Sequence, residues 1–291
     1  MASESLPGSL PSQLQGKVAI VTGAGRGIGR AFAMALAAEC MRVGICARTK
    51  AQLDETADAI SASGGVCHAV IADLSNPESI SEMVEGVRTT LGSIHLLVNN
   101  AAEPGQGRRV WEVDPESWWH TQMVNVRGPF LCSRAVIPEM IVNNSGRIIN
   151  ITSGVVSMAI PYLSAYVVSK TALSQFTRVL AAELAEFSVS AFAYAPGALD
   201  TDMFEYARHS PNFDPPIQAV FENAAEAGFT SMSDAVATFM KIAKGEADSL
   251  SGCHLDVADD IDDLVQRADE IKEQGLYVIR RQPLHARTRI E

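Results

Sequence analysis

The chain is poor in the features that mark several large classes of protein. Its 291 residues hold five cysteines, an odd number, at Cys40, Cys46, Cys67, Cys132 and Cys253, with no Cys-x-x-Cys pair. That scatter excludes a disulfide scaffold or a thiolate metal site, and it reads as small buried apolar side chains in a reducing compartment. No apolar run reaches the roughly 18 residues of a membrane-spanning helix. The opening Met1 to Gly8 has neither the basic nor the apolar region of a secretory signal, so the cytoplasm is the expected location. Positive charge is scarce: 23 Lys and Arg stand against 34 Asp and Glu, a formal net charge of −11. This balance argues against nucleic acid or an anionic membrane as partner, though not against a local basic pocket for a phosphate. Internal repeats and low-complexity segments are missing. The six histidines (His68, His95, His120, His209, His254 and His285) show no metal-ligand spacing, and no metal is expected.

An apolar content of 47% is ample for a sizeable core. Residues 1 to about 15, rich in Ser, Pro and Gly, read as a flexible arm. The β-rich run Lys17 to Val21 then breaks into Thr22-Gly23-Ala24-Gly25-Arg26-Gly27-Ile28-Gly29 and passes into the apolar helical stretch Ala31 to Ala38. Strand, glycine turn and helix in succession predict a phosphate-binding βα unit. Glycines let the backbone approach a pyrophosphate, and the helix N-terminus offers N–H groups and a positive dipole end. The spacing on Gly23, Gly27 and Gly29 is Gly-x-x-x-Gly-x-Gly, not G-x-G-x-x-G. The second strand, Arg42 to Ala47, ends in Arg48-Thr49-Lys50 with no carboxylate before Asp54. In NAD-binding units an acidic residue there holds the ribose 2′-OH. Its absence, with Arg26 and Arg48 placed to converge on a 2′-phosphate, favours NADP(H) over NAD(H).

The alternation continues: a helix over Lys50 to Ser63, a strand over Val66 to Ile71 ending in Asp73-Leu74, and a helix capped by Asn76 and Pro77. The fourth strand, Ile94 to Val98, runs into Asn99-Asn100-Ala101-Ala102. A helix capped by Asp114-Pro115 reaches roughly Met140, and the fifth strand, Gly146 to Ile151, ends at Thr152-Ser153. The helix that follows carries Tyr166 and Lys170, and the sixth strand, Val189 to Ala195, closes at Pro196-Gly197. Such alternation predicts an α/β fold, a doubly wound parallel sheet of about seven strands with helices on both faces. Ligands of these sheets lie at the carboxyl ends of the strands. Gly23, Arg48, Asp73, Asn99, Ser153 and Pro196 all fall at such ends. Tyr166 and Lys170, four apart on one helix face, bring a phenol and an ammonium together. A cation near a phenol draws its pKa down from about 10, the direction needed for a proton donor and acceptor near neutrality.

These motifs, from about Lys17 to Val257, resemble the single-domain short-chain dehydrogenases/reductases. The resemblance implies a Rossmann-fold dinucleotide-binding and catalytic domain over 16–258; beyond it the residues themselves read as a charged helix (Asp259 to Gln274) and a basic tail to Glu291, packed on that domain or extending from it. It places the catalytic set on Asn125, Ser153, Tyr166 and Lys170. Tyr166 gives the proton, Ser153 bonds the developing alkoxide, Lys170 lowers the phenol pKa and holds the ribose, and Asn125 positions a water leading to Lys170. Cofactor contacts fall on Gly23, Gly25, Arg26, Gly27, Ile28, Gly29, Arg48, Thr49, Asp73, Leu74, Asn99, Ala101, Tyr166, Lys170, Pro196, Gly197, Thr201 and Met203. Two departures stand out: Ala102 replaces the family's last glycine of Asn-Asn-Ala-Gly, and no glycine pair follows the expected seventh strand near His254 to Val257.

The implied activity is transfer of a hydride between NADP(H) and a carbonyl or secondary alcohol of a small metabolite. The segments Asp202 to His209 and Ser210 to Pro216 read as a lid. Its aromatic and Met content suits a hydrophobic or ring-bearing substrate as well as it suits a plain amphipathic closing helix. Arg108 and Arg109 lie in a polar loop over the same rim, where they either meet an acidic substrate or are simply solvated. A homodimer or homotetramer is implied through the helix beginning at Ser164, with Ala172, Phe176 and Val179 among its apolar residues. Two other readings stay open: an isomerase or cyclase on the same fold, alone or after reduction, and a cofactor-binding regulator without turnover.

Overall fold

The run Val18–Thr22 is buried at every residue and becomes β1, the strand on which the sheet grows outward in both directions. In a computed structural model the described residues are 13–280. The other strands are β2 (Arg42–Ala47), β3 (Val66–Ile71), β4 (Ile94–Asn99), β5 (Gly146–Ile151), β6 (Val189–Ala195) and β7 (His254–Asp256). All pairs are parallel, in the order β3-β2-β1-β4-β5-β6-β7. Chain direction across the sheet reverses between β1 and β4. That is where a ligand crevice opens in such folds.

The helices between strands are α1 (Gly27–Ala38), α2 (Lys50–Ala62), α3 (Pro77–Leu91), α4 (Pro115–Gln122), α5 (Gly128–Val142) and α6 (Ser164–Glu183). After β6 come α7 (Asp202–His209), α8 (Pro215–Ala227) and α9 (Met232–Lys244), and after β7 come α10 (Ile261–Gln266) and α11 (Ala268–Gln274). Strand side chains alternate faces. Ala19 and Val21 therefore face Phe32 and Leu36 of α1, Leu53 of α2 and Phe239 of α9, while Val18 and Ile20 belong to the layer with Ile80 and Met83 of α3 and Val136 and Met140 of α5. Phe32 and Phe239 stack at 3.9 Å between ring centres. Both faces are covered, as a parallel sheet requires.

Local chemistry sets the helix starts. Asn76 Oδ1 accepts the N–H groups of Glu78 and Ser79 at 2.9 and 3.3 Å with Pro77 in the first turn, and Asp114 Oδ2 accepts that of Ser117 at 2.7 Å.

Several expectations are corrected. The helix from Pro115 to about Met140 is not continuous: a π-turn at Met123–Arg127 divides α4 from α5. Pro129 has no N–H to give the Asn125 carbonyl four residues back, so one α-helical bond is lost where the π-turn forms. The helix expected over Asp259 to Gln274 is two helices parted at Arg267, each with its own apolar pair, Ile261 and Leu264 in α10, Ala268 and Ile271 in α11, set into the core. Not every cysteine is buried: Cys46, Cys132 and Cys253 are, but Cys67 is half-buried on the outer strand and Cys40 is exposed in the turn after α1. The arm expected over 1–15 lies mostly outside the described residues, but Leu14 is 3% exposed and belongs to the core. The tail beyond residue 280 lies outside them too. After α11 the chain returns to the sheet, where the His254 N–H donates to the Tyr277 carbonyl at 2.8 Å.

Candidate active site

The glycine turn is shaped by its own packing. Asn100 donates its side-chain amide to the carbonyls of Thr22 (2.8 Å) and Gly23 (3.2 Å), and the N–H groups of Asn100 and Ala101 reach Thr22 Oγ1 at 3.0 and 3.1 Å. The turn is thereby laced to the end of β4. Gly23 has φ +65, and a Cβ there would stand 2.8 Å from Ala101 Cα; one on Gly29 would collide with the Asn100 amide and the Gly23 carbonyl. α1 begins at Gly27 with no side-chain cap and no acidic residue in its first turn. Such a helix end presents backbone N–H donors and a positive dipole to the rim, and suits a pyrophosphate. Gly25 is buried beneath Gln52, and Ile28 leans on the core.

The arginines do not stand free to converge. Arg26 donates to Asp202 at 2.5 Å and Arg48 pairs with Glu103 at 2.7 Å. Thr49, beside Arg48, is exposed and precedes α2. Burial pushes the Asp73 carboxyl up, but the Ser75 N–H and hydroxyl, both 2.8 Å from Oδ1, and the nearby Arg48 outweigh it and hold it below the usual range. Leu74 is buried. Asn99 is 1% exposed, and its amide turns inward to Asn150 Oδ1 at 2.8 Å. It is Asn100, which sequence reasoning passed over, that braces the turn; two adjacent Asn carried no signal separating their roles.

Tyr166 and Lys170 share a face of α6, as their spacing predicts. Lys170 is 2% exposed, and its ammonium donates to the Ile151 carbonyl at 2.8 Å and lies 5.6 Å from the centre of the Tyr166 ring. Burial lowers its pKa to about 8. Burial also pushes the Tyr166 phenol up to about 12, with a hydrogen bond to Ser153 pulling the other way. The expectation that Lys170 draws the phenol toward neutrality is not met: the ammonium is held on a carbonyl beside the ring, and desolvation dominates. Ser153 follows β5 directly and accepts the Val155 N–H at 3.4 Å. Asn125, fully buried in the π-turn, bonds both main-chain groups of Glu103 (N–H to Oδ1 at 2.7 Å, Nδ2 to C=O at 2.9 Å) and reaches Ser169 Oγ at 3.0 Å. Its side chain clamps the loop after β4. Behind Ser153, His254 Nε2 meets Thr152 Oγ1 at 2.8 Å. Tyr194 is a core residue, with its hydroxyl donating to the Ala235 carbonyl at 2.8 Å.

On the far side, Pro196 is buried and Gly197 (φ +81) packs where a Cβ would strike Thr230. Thr201 Oγ1 caps α7 through the Phe204 N–H at 3.4 Å, and Met203 is half-buried in its first turn. The loop after β4 joins the lid: the Gly107 N–H gives to Asn212 O (3.0 Å), the Asp214 N–H to Gly107 O (2.8 Å), and Arg108 pairs with Asp214 at 3.5 Å. Arg109 lies over the rings of Trp111 and Tyr162, 5.2 and 5.0 Å from their centres. Both arginines are therefore engaged within the protein. The lid aromatics largely face one another, with Phe204 edge-on to Phe221 and Phe229, and Phe213 edge-on to Tyr206 and Phe221. Among the described residues, no group of His, Cys, Asp and Glu could hold a metal ion, and no helix is long and apolar enough to cross a membrane.

A doubly wound parallel sheet with a glycine turn set against an uncapped helix end at its switch point is a Rossmann-like dinucleotide-binding fold. The chain belongs to the short chain dehydrogenase family, whose model matches residues 17–212. It is 39% identical over 198 residues to a short chain dehydrogenase of Pseudocercospora fijiensis, covering 68% of this chain and 64% of that protein. Over 199 residues it is 37% identical to the 3-oxoacyl-[acyl-carrier-protein] reductase of Synechocystis, covering 68% and 80%. The structure of the actinorhodin polyketide ketoreductase with NADPH superposes with a TM-score of 0.76 at 27% identity, covering 84% of this chain and 97% of that one.

Proposed function

We propose that the protein is an NADP(H)-dependent oxidoreductase acting on a carbonyl or secondary alcohol of a small, hydrophobic or ring-bearing metabolite. The observation that carries this reading is the meeting of Ser153, Tyr166 and the buried Lys170 on the rim that also bears the glycine turn and two arginines. The turn with Gly23, Gly27 and Gly29 and the uncapped start of α1 fit a pyrophosphate, and Arg26 and Arg48 fit a 2′-phosphate. Bound NADPH supplies the hydride.

Tyr166 gives its proton to the oxygen that becomes the hydroxyl, and Ser153 donates to the same oxygen as its charge grows. A phenol near 12 still yields its proton readily to an alkoxide, which is the stronger base. Lys170, protonated below about 8, offsets the phenolate left behind. Asn125 keeps the loop after β4 and Ser169 of α6 in register. Leu163, Phe213 and Ile217 pack together as a small buried cluster, and the partly exposed Ile160 and Val167 against it support a hydrophobic substrate. Two of the similar proteins are named as reductases of a 3-oxoacyl group and of a polyketide ketone, which supports a carbonyl. Exposed Phe130, Val168 and Val179, at 45%, 46% and 46%, support association of copies through α5 and α6.

The test is Tyr166→Phe, with NADPH oxidation followed against a panel of ketones and NADPH affinity measured by fluorescence titration. Turnover should vanish while affinity stays near wild type. Retained turnover would remove Tyr166 from the chemistry.

A further inference from the structure

The two arginines assigned above to a 2′-phosphate are each already held by a carboxylate, and both ion pairs run across the same line in the sheet. Arg48 stands at the end of β2 and Glu103 beyond the end of β4; Arg26 lies in the turn after β1 and Asp202 opens α7 beyond β6. In the order β3-β2-β1-β4-β5-β6-β7, each pair joins one side of the β1–β4 switch point to the other. A dinucleotide lies in the crevice at that switch point. The pairs bridge the very gap the cofactor enters.

From this we infer that Glu103 and Asp202 set cofactor selectivity by competing with a 2′-phosphate for Arg48 and Arg26. The inference rests on the NADP(H) reading above. The backbone that carries each carboxylate is held in place. Glu103 is fixed through its own N–H and C=O by the Asn125 amide, at 2.7 and 2.9 Å. Asp202 is carried on the first turn of α7, whose start is capped by Thr201. A phosphate that takes the guanidinium groups bidentately leaves two anionic side chains close by, and like charges at short range oppose its binding. A cofactor with a plain 2′-OH makes no such demand. The effect is modest, because exposed ion pairs are weak. It is larger at Glu103, whose side chain is 24% exposed, than at Asp202, which is 66% exposed.

The test uses the full chain and two fragments that carry no nicotinamide, 2′,5′-ADP and 5′-AMP, so that binding is read by calorimetry apart from turnover. The quantity of interest is the ratio of their affinities. Glu103→Gln should raise the preference for 2′,5′-ADP about two- to five-fold, Asp202→Asn by less, and the two changes should multiply in the double variant. Glu103→Asp, which keeps the charge but shortens its reach to Arg48, should move the ratio the same way and serves if the Gln variant folds poorly. Arg26→Ala and Arg48→Ala should lower the ratio. If the arginine variants lower it and the carboxylate variants leave it unmoved, competition is overturned and the NADP(H) reading stands. If the arginine variants leave it unmoved, the NADP(H) reading itself falls, and this inference with it.

Discussion

Lys170 carries a buried charge, and replacing it with methionine isolates what that charge costs. Its side chain is 2% exposed, and burial takes its pKa from 10.5 to about 8. That gap corresponds to about 3 kcal/mol by which the folded protein disfavours the ammonium relative to the unfolded chain. The sign follows from proton counting. As pH rises the folded state loses this proton first, so between 8 and 10.5 the unfolded state holds more protons and stability climbs. Below 8 both states are charged and the full cost stands; above 10.5 both are neutral and it is gone. Lys170→Met has no such titration, though losing the bond to the Ile151 carbonyl should cost it about 1 kcal/mol at every pH. The variant should be the more stable protein by about 2 kcal/mol at pH 7. Across the window from pH 8 to 10.5 the wild type should regain about 3 kcal/mol on it. Denaturant unfolding of both proteins at intervals from pH 7 to 10.5 reads this, and subtraction removes the titration of every group they share. Parallel curves would refute the buried cation, and with it the account of how Tyr166 is supported.

Two other substitutions test the frame of the site. Asn125→Ala removes three hydrogen bonds that hold Glu103 and Ser169; unfolding should become easier by about 2 kcal/mol, and amide exchange should quicken around Glu103, whereas an unchanged exchange pattern would deny the clamp. Gly29→Ala puts a methyl group into the Asn100 amide and the Gly23 carbonyl; dinucleotide affinity measured by calorimetry should fall by at least about tenfold and stability by about 2 kcal/mol, and wild-type binding would contradict the packing argument.

The order of strands and helices was legible because periodicity and caps are local: Asn76-Pro77 and Asp114-Pro115 announce their helices in adjacent residues. What escaped depends on partners far along the chain. Nothing near Arg26 or Arg48 announces Asp202 or Glu103, and nothing in the lid sequence reveals that Phe204, Phe213 and Phe221 meet one another. The π-turn around Asn125 had a faint signal in Pro129, four residues on, which reads equally as a helix start. The spacing that puts Tyr166 and Lys170 on one helix face was visible; the direction of the phenol pKa was not, because burial is a property of the folded whole.

The return of the chain to His254 makes the two margins of the sheet unlike each other. At β3 no strand among the described residues pairs with the outer edge, and Val66 and Ile71 are 49% and 57% exposed. At β7 the strand is three residues long, and the Tyr277 carbonyl takes up its His254 N–H. Open strand edges invite pairing with foreign chains, and short or covered ones resist it. The segment after α11 thus works as a selvedge, finishing one margin of the fabric so that it does not catch on another. Removing residues from Leu276 onward would leave the His254 N–H without that partner and open the β7 edge, so the shortened chain should self-associate more readily than the full one, as light scattering would read.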